Sequence, residues 1–258
     1  MTVRASRPCL EVCVDSIAGL DAAVSAGADR IELCSALNLA GLTPSWGLMA
    51  EASSRAIPCF VLIRPRAGDF RYSTREIDVM CRDIDTVRSM RLAGIVIGAS
   101  LPDGSLDEGT LSRLLEHAAG LPAVLHRAFD LVPDFPAALE MAVRLGFRRV
   151  LTSGGAPDAP AGRTQIRKLV ALAGARIEVM AGAGISPDNV IEFVRATGVM
   201  AVHSSCSSPI PEASLVAVRA RALGFIPADH RTTDPKKLAA MLAALERSPE
   251  SAAPEDRA

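Results

Sequence analysis

The chain has 258 residues, with 28 Lys and Arg against 29 Asp and Glu, a formal net charge of -1, 49% hydrophobic residues and only 3% aromatic ones. A near-neutral chain has no long-range field to attract a polyanion, and few rings means few stacking platforms, so neither nucleic acid nor an anionic membrane is an expected partner. No apolar run approaches the roughly 18 residues that span a bilayer, and the opening MTVRASRPCLEVCVD lacks an apolar leader. The expectation is a cytoplasmic protein with one sizeable core.

In chain order, eight short apolar or β-branched runs recur: LEVCV from Leu10, RIELC from Arg30, CFVLIR from Cys59, GIVIG from Gly94, AVLHR from Ala123, RRVLTS from Arg148, IEVMAG from Ile177 and MAVHSS from Met200. Between them lie stretches such as GLDAAVSAGA, TREIDVMCRDIDTVRSMRLA, LDEGTLSRLLEHAA and PDFPAALEMAVRLG, whose apolar residues fall at three- and four-residue steps. Asp107, Pro133-Asp134 and Ser186-Pro187-Asp188 mark helix starts by capping side chain or first-turn proline. Gly27, Gly94, Gly146 and Gly198 precede strands, where a helix C-cap is expected. The last helix is predicted over Pro235 to Leu245, after a segment from Ser207 to Asp234 with no clear pattern.

Strict strand–helix alternation specifies a parallel sheet with right-handed crossovers, and eight units in this length fit closure. The predicted fold is therefore an α/β protein, a (β/α)8 TIM barrel forming a single domain over residues 1–247, with 248–258 a disordered tail. Six cysteines, Cys9, Cys13, Cys34, Cys59, Cys81 and Cys206, lack the short paired spacing of a structural zinc site. In a reducing compartment they are expected to be thiols, and the ordinary role of each is that of a small buried hydrophobe.

Side chains alternate across a strand, so Glu11, Cys13 and Asp15 share one face while Leu10, Val12 and Val14 face the helices. The same parity groups Arg30, Glu32 and Cys34. Further strands end in Arg64 and Arg66, in His126 with Asp130 beyond it, in Thr152 and Ser153, and in His203 and Ser205. In such barrels chemistry sits at the carboxyl ends of the strands, where these groups fall. Mutual neutralisation inside the barrel is the alternative, yet polar groups from at least five strands suit a pocket with perturbed titrations better. The loop RPRAGDF could clamp an anion through Arg64 and Arg66. AGAGIS, with Gly182 and Gly184, and HSSCSS, with Ser204, offer glycine- and serine-rich backbone of the kind that holds phosphate. The LPDGS loop needs only its turn chemistry.

The motifs LEVCVDS, GADRIELCSAL, AGLTPS, RPRAGDF, HRAFD, LTSGG, MAGAGI and VHSS, in order from about Leu10 to Ser205, resemble those of the CutC family of copper homeostasis proteins. Ala40 stands where that family usually has a glycine, and the region after Ser205 does not follow its pattern. The resemblance implies a (β/α)8 barrel, a homodimer or larger assembly, and binding of cuprous ion by Cys13 and Cys34. Cu(I) is soft and prefers thiolate, and two inward cysteines at one level of adjacent strands could bracket one ion.

The competing expectation is an isomerase, lyase or hydrolase acting on a small anionic or phosphorylated metabolite without an organic cofactor. Glu11, Glu32 and Asp130 would act as acids or bases, His126 and His203 would carry protons, and Arg64 and Arg66 would hold negative charge. A hard divalent metal on Glu11, Glu32, His126 and His203 is a third possibility.

Overall fold

The protein is described by a computed structural model over residues 7–210, 214–227 and 229–247; the predicted tail at 248–258 lies outside these residues. Eight parallel strands close into a barrel in sequence order, each run identified above supplying one. They are β1 (Cys9–Val14), β2 (Arg30–Leu33), β3 (Cys59–Leu62), β4 (Gly94–Ile97), β5 (Ala123–Leu125), β6 (Arg149–Thr152), β7 (Glu178–Ala181) and β8 (Ala201–Ser204). β1 and β8 pair through Leu10 with Val202 and Glu11 with His203, which removes both sheet edges.

Outside the barrel lie α1 (Ile17–Ala26), α2 (Trp46–Ser53), α3 (Thr74–Ser89), α4 (Glu108–Ala118), α5 (Phe135–Arg144), α6 (Arg163–Ala173), α7 (Val190–Thr197), α8 (Leu215–Ala222) and α9 (Pro235–Glu246). α3 shows why such sequences become helices. Ser73 and Glu76 form a reciprocal capping box, and Ile77, Met80, Cys81, Ile84 and Val87 recur on one face, all buried. α9 packs between α1 and α7 and completes the outer ring.

Two apolar cores result from strand parity. Leu10, Val12, Val14, Ile31, Leu33, Val61, Ile63, Ile95 and Ile97 belong to the core between sheet and helices. Phe60, Leu62, Val96, Val124, Leu151, Met180, Ala201 and Cys34 fill the barrel interior. Each fully buried large side chain contributes roughly 1.5–3 kcal/mol, so a register slip on any strand, which would exchange the two sets, is strongly disfavoured.

Capping agrees with expectation at Asp107 and Asp134, whose carboxylates accept the Thr110 and Ala137 N–H groups, and at the left-handed Gly27 and Gly198. Two assignments differ. Gly94 is the first residue of β4 and not a cap: α3 ends at Met90, and Gly94 is required because a Cβ there would overlap Phe60 and the Pro122 carbonyl. Ser186-Pro187-Asp188 forms a turn ahead of the Asn189 cap of α7, with the Ser186 carbonyl accepting from Val190. The segment without a readable pattern contains a small antiparallel pair, β9 (Ser207–Pro209) with β10 (Arg231–Thr233), flanking the exposed helix α8. No described helix is long and apolar enough to cross a membrane.

Candidate functional site

The barrel interior carries a chain of charges, and the strand register dictates its order. Glu11 lies opposite Arg30 on β2 and opposite His203 on β8. Its carboxylate accepts from Arg30 Nε at 3.1 Å and meets His203 Nδ1 at 3.1 Å. Arg30 reaches on to Glu178 at 3.3 Å, and Glu178 also pairs with Arg149, whose guanidinium lies over the Phe60 ring. Burial alone would keep the Glu11 carboxyl protonated, but His203 and Arg30 hold its titration below the usual value. Removing Glu11 would take from Arg30 and His203 the buried carboxylate they share.

Above this layer a cavity of about 1090 Å³ opens at the carboxyl ends of the strands, lined by Cys13, Glu32, His126 and His203 among others. Glu32 sits opposite Cys13 in the ladder, and its Oε2 is buried without a hydrogen-bond partner. Burial, reinforced by Glu11 and opposed by His203, pushes its carboxyl up to about 7. His126 accepts the Ala128 N–H at Nδ1, 3.0 Å away, so its neutral form carries the proton on Nε2, and that nitrogen has no partner. Burial and the neighbouring Arg64 hold it down to about 3, and the ring is therefore neutral at physiological pH. Gly98 makes room for it, since a Cβ there would overlap the imidazole.

His203 has the opposite electrostatics. Burial opposes its protonation, but Cys13, Glu32 and Glu11 outweigh that and raise it well above the ordinary value, Glu11 through direct contact with Nδ1. The cavity thus holds a carboxyl poised near neutrality, a neutral imidazole donor and, beside Cys13, a second imidazole of raised basicity.

Several predicted site residues are engaged elsewhere. Arg64 lines the cavity, but its guanidinium donates to the Leu39, Gly41 and Gly68 carbonyls at 2.8 Å each and ties the loops after β2 and β3 together. Arg66 leaves the cavity for Glu76 and Asp69, because the capping box of α3 holds Glu76 within its reach. Asp130 faces the cavity yet accepts from Thr152 Oγ1, from the N–H groups of Ser153 and Gly155, and from Arg127, so it organises the loop after β6.

Gly182 does not line the cavity and lies against Leu151, which a Cβ there would overlap, while Gly184 and Ser204 do line the cavity. Ser204 Oγ donates to the Ile185 carbonyl at 3.0 Å. Cys34 lies two residues beyond Glu32, the ladder partner of Cys13, and its Sγ turns to the Val14 carbonyl at 3.5 Å. The two cysteines are therefore not at one level: the residue opposite Cys13 is Glu32.

Arg30 was grouped with Glu32 on the inward face, but its ion-paired companions Arg149 and Glu178 were not anticipated, although inward parity on RRVLTS and IEVMAG would have shown them. Neither was the cationic rim from β10 and α9, where Arg231, Lys236 and Lys237 line the cavity.

The CutC family model matches residues 9–208. The chain belongs to the CutC family. Relatives include the family protein CutC of Caulobacter vibrioides (strain NA1000 / CB15N), 53% identical over 93% of this chain and 98% of its own length. That of Rhizobium meliloti (strain 1021) is 52% identical over 93% of this chain and 97% of its own. A solved CutC from Streptococcus agalactiae, named for copper homeostasis, superposes with a TM-score of 0.74 at 32% identity, over 77% of this chain and 98% of that one. The CutC fold is thus common to both, and the Streptococcus chain is matched almost completely by four-fifths of this one.

Proposed function

We propose that the barrel mouth is a catalytic site for proton-transfer chemistry on a small anionic metabolite, with Glu32 as general acid and base and neutral His126 as the polarising donor. One observation carries this reading: Glu32 Oε2 and His126 Nε2 are both buried, both without partners, and both belong to residues lining the same cavity. An unpaired buried polar atom costs about 1–3 kcal/mol, a burden that a bound substrate relieves. Their titrations are driven apart, which is how one site supplies a proton carrier and a fixed donor at the same pH. Arg127, Arg231, Lys236 and Lys237 along the rim suit a negatively charged substrate.

Copper is the ligand that the name of the Streptococcus agalactiae relative implies. Cys13 offers a soft sulfur to the cavity beside His203. Cys34 is fully buried, hydrogen-bonded to a carbonyl, and burial together with Cys13 and Glu32 pushes its thiol up, which disfavours the thiolate a metal needs. The groups that do converge are Glu11, Glu32 and His203, with ligand atoms within 4.8 Å of one another, and carboxylates suit hard ions rather than Cu(I). Glu11 is moreover already shared between Arg30 and His203. A two-thiolate Cu(I) site does not fit this arrangement, so the copper reading stands second and rests on Cys13 and the name of the Streptococcus agalactiae relative.

Two assays separate the readings. Incubation in D2O with defined sugar phosphates and short carboxylic acids, followed by proton NMR, is expected to show carbon-bound deuterium with the unaltered protein and none with Glu32→Gln. Anaerobic Cu(I) titration against a competing chelator is expected to show binding no tighter than that of scattered thiols. One tightly held ion, lost in Cys13→Ser and Cys34→Ser but kept in Glu32→Gln, would reverse the order.

A further inference from the structure

We propose that Cys13 is a catalytic nucleophile, with His203 as its base and Glu11 as the residue that positions the base, and that the substrate presents an electrophilic carbonyl carbon. The inference rests on the catalytic reading of the cavity and adds the substrate's reacting group to it.

The geometry is that of a nucleophile, a base and an orienting carboxylate in series. Glu11 and Cys13 are two residues apart on β1 and so face the same way, and His203 on β8 pairs directly with Glu11. The imidazole meets Glu11 Oε1 at 3.1 Å through Nδ1, and it lines the cavity together with Cys13, near enough for Cys13 to raise its titration. Glu11 cannot turn away, because its other oxygen is held by Arg30 at 3.1 Å and the side chain is wholly enclosed. Cys13 is itself 6% exposed, and the accessible part lies in the cavity.

The chemical step balances without any further reagent. The S–H bond breaks and its proton goes to the neutral His203 ring, whose protonated form the enclosing Glu11 and Glu32 favour, while the sulfur electron pair forms a bond to the carbonyl carbon. The C=O π pair moves onto oxygen, and His126 Nε2–H is the uncommitted donor in the same cavity for that developing charge. Reversal returns the proton from His203 to sulfur.

The chain contains its own controls. Cys206 lines the same cavity, where its backbone N–H donates to Ser204 Oγ at 3.2 Å, and Cys9 is more exposed than Cys13. Access alone would therefore make Cys9 react first and Cys206 react as readily as Cys13. The test is time-resolved alkylation of the whole protein with iodoacetamide at pH 7, quenched and mapped by peptide mass spectrometry.

Cys13 is expected to be modified at least tenfold faster than Cys9 and Cys206, and His203→Asn is expected to slow Cys13 at least tenfold while leaving Cys9 unchanged. Equal rates for Cys13 and Cys206, or a Cys13 rate indifferent to His203→Asn, would overturn the proposal. Should His203→Asn unfold, the buried Cys34 and Cys59 will label as well, and the ranking in the unaltered protein then decides alone. Labelling requires no substrate. Slow labelling beside retained deuterium exchange removes the nucleophile only, whereas fast labelling without exchange removes the acid–base role of Glu32.

Discussion

Replacing Glu32 by Gln should change how stability depends on pH, in a way that follows from its enclosure. The carboxyl titrates at about 7 in the folded protein against an ordinary value of 4.5. The folded state therefore keeps this proton to higher pH than the unfolded chain does. Its contribution is fully present below 4.5 and is lost as pH rises to about 7, above which it no longer changes. At about 1.4 kcal/mol per pH unit, the interval corresponds to at most about 3 kcal/mol.

Gln has nearly the same shape and no charge, so the variant lacks this dependence. The difference in unfolding free energy, variant minus unaltered protein, should grow by up to about 3 kcal/mol between pH 4.5 and 7 and then level off. Urea unfolding at half-unit pH steps and constant ionic strength measures it. A difference that stays flat from pH 4 to 8 would refute the burial argument for Glu32.

Further consequences can be checked separately. Glu11→Gln leaves Arg30 short of its main counter-charge inside the barrel and should cost about 3–5 kcal/mol in urea unfolding; a loss below about 1 kcal/mol would mean that the charge chain is not stabilising. Gly98→Ala should force the His126 ring from its seat, costing about 1–3 kcal/mol and abolishing turnover together; full activity in that variant would contradict the assigned place of His126.

The homodimer expected from the family resemblance has a natural surface in α8. This eight-residue helix has no buried side chain, and Leu215 and Phe225 are 89% and 78% exposed. So short a helix draws its stability from packing, and two such faces could together bury roughly the 1,000 Å² of a specific interface. Leu215→Glu with Phe225→Asp should convert a dimer into a monomer by sedimentation velocity. An unchanged sedimentation coefficient would place the interface elsewhere.

The barrel was legible because β-branched runs, helical spacing and capping residues all point to one architecture. Strand parity alone also brought Glu11, Glu32, His126 and His203 to one interior. What parity could not supply was register. It did not show that Cys13 faces Glu32 rather than Cys34, which weakens the two-cysteine site. Nor could it show competition for a side chain. Arg66 and Asp130 carry suitable chemistry, but Glu76 captures one and the N–H groups of the β6 loop surround the other. Such captures depend on loop geometry, which residue type does not encode. The segment around α8 lacked a readable pattern because its apolar residues have no counterpart within the described chain.

The central claim is that two enclosed groups facing one cavity hold opposite protonation behaviour, and a single NMR pH titration tests it. With 15N-labelled histidine and 13C-labelled glutamate, Glu32→Gln and His126→Asn supply the assignments. The account predicts a Glu32 carboxyl midpoint near 7 and a His126 ring that stays neutral, protonated on Nε2, from pH 8 down to 4. A His126 midpoint near 6.5 together with a Glu32 midpoint near 4.5 would contradict it.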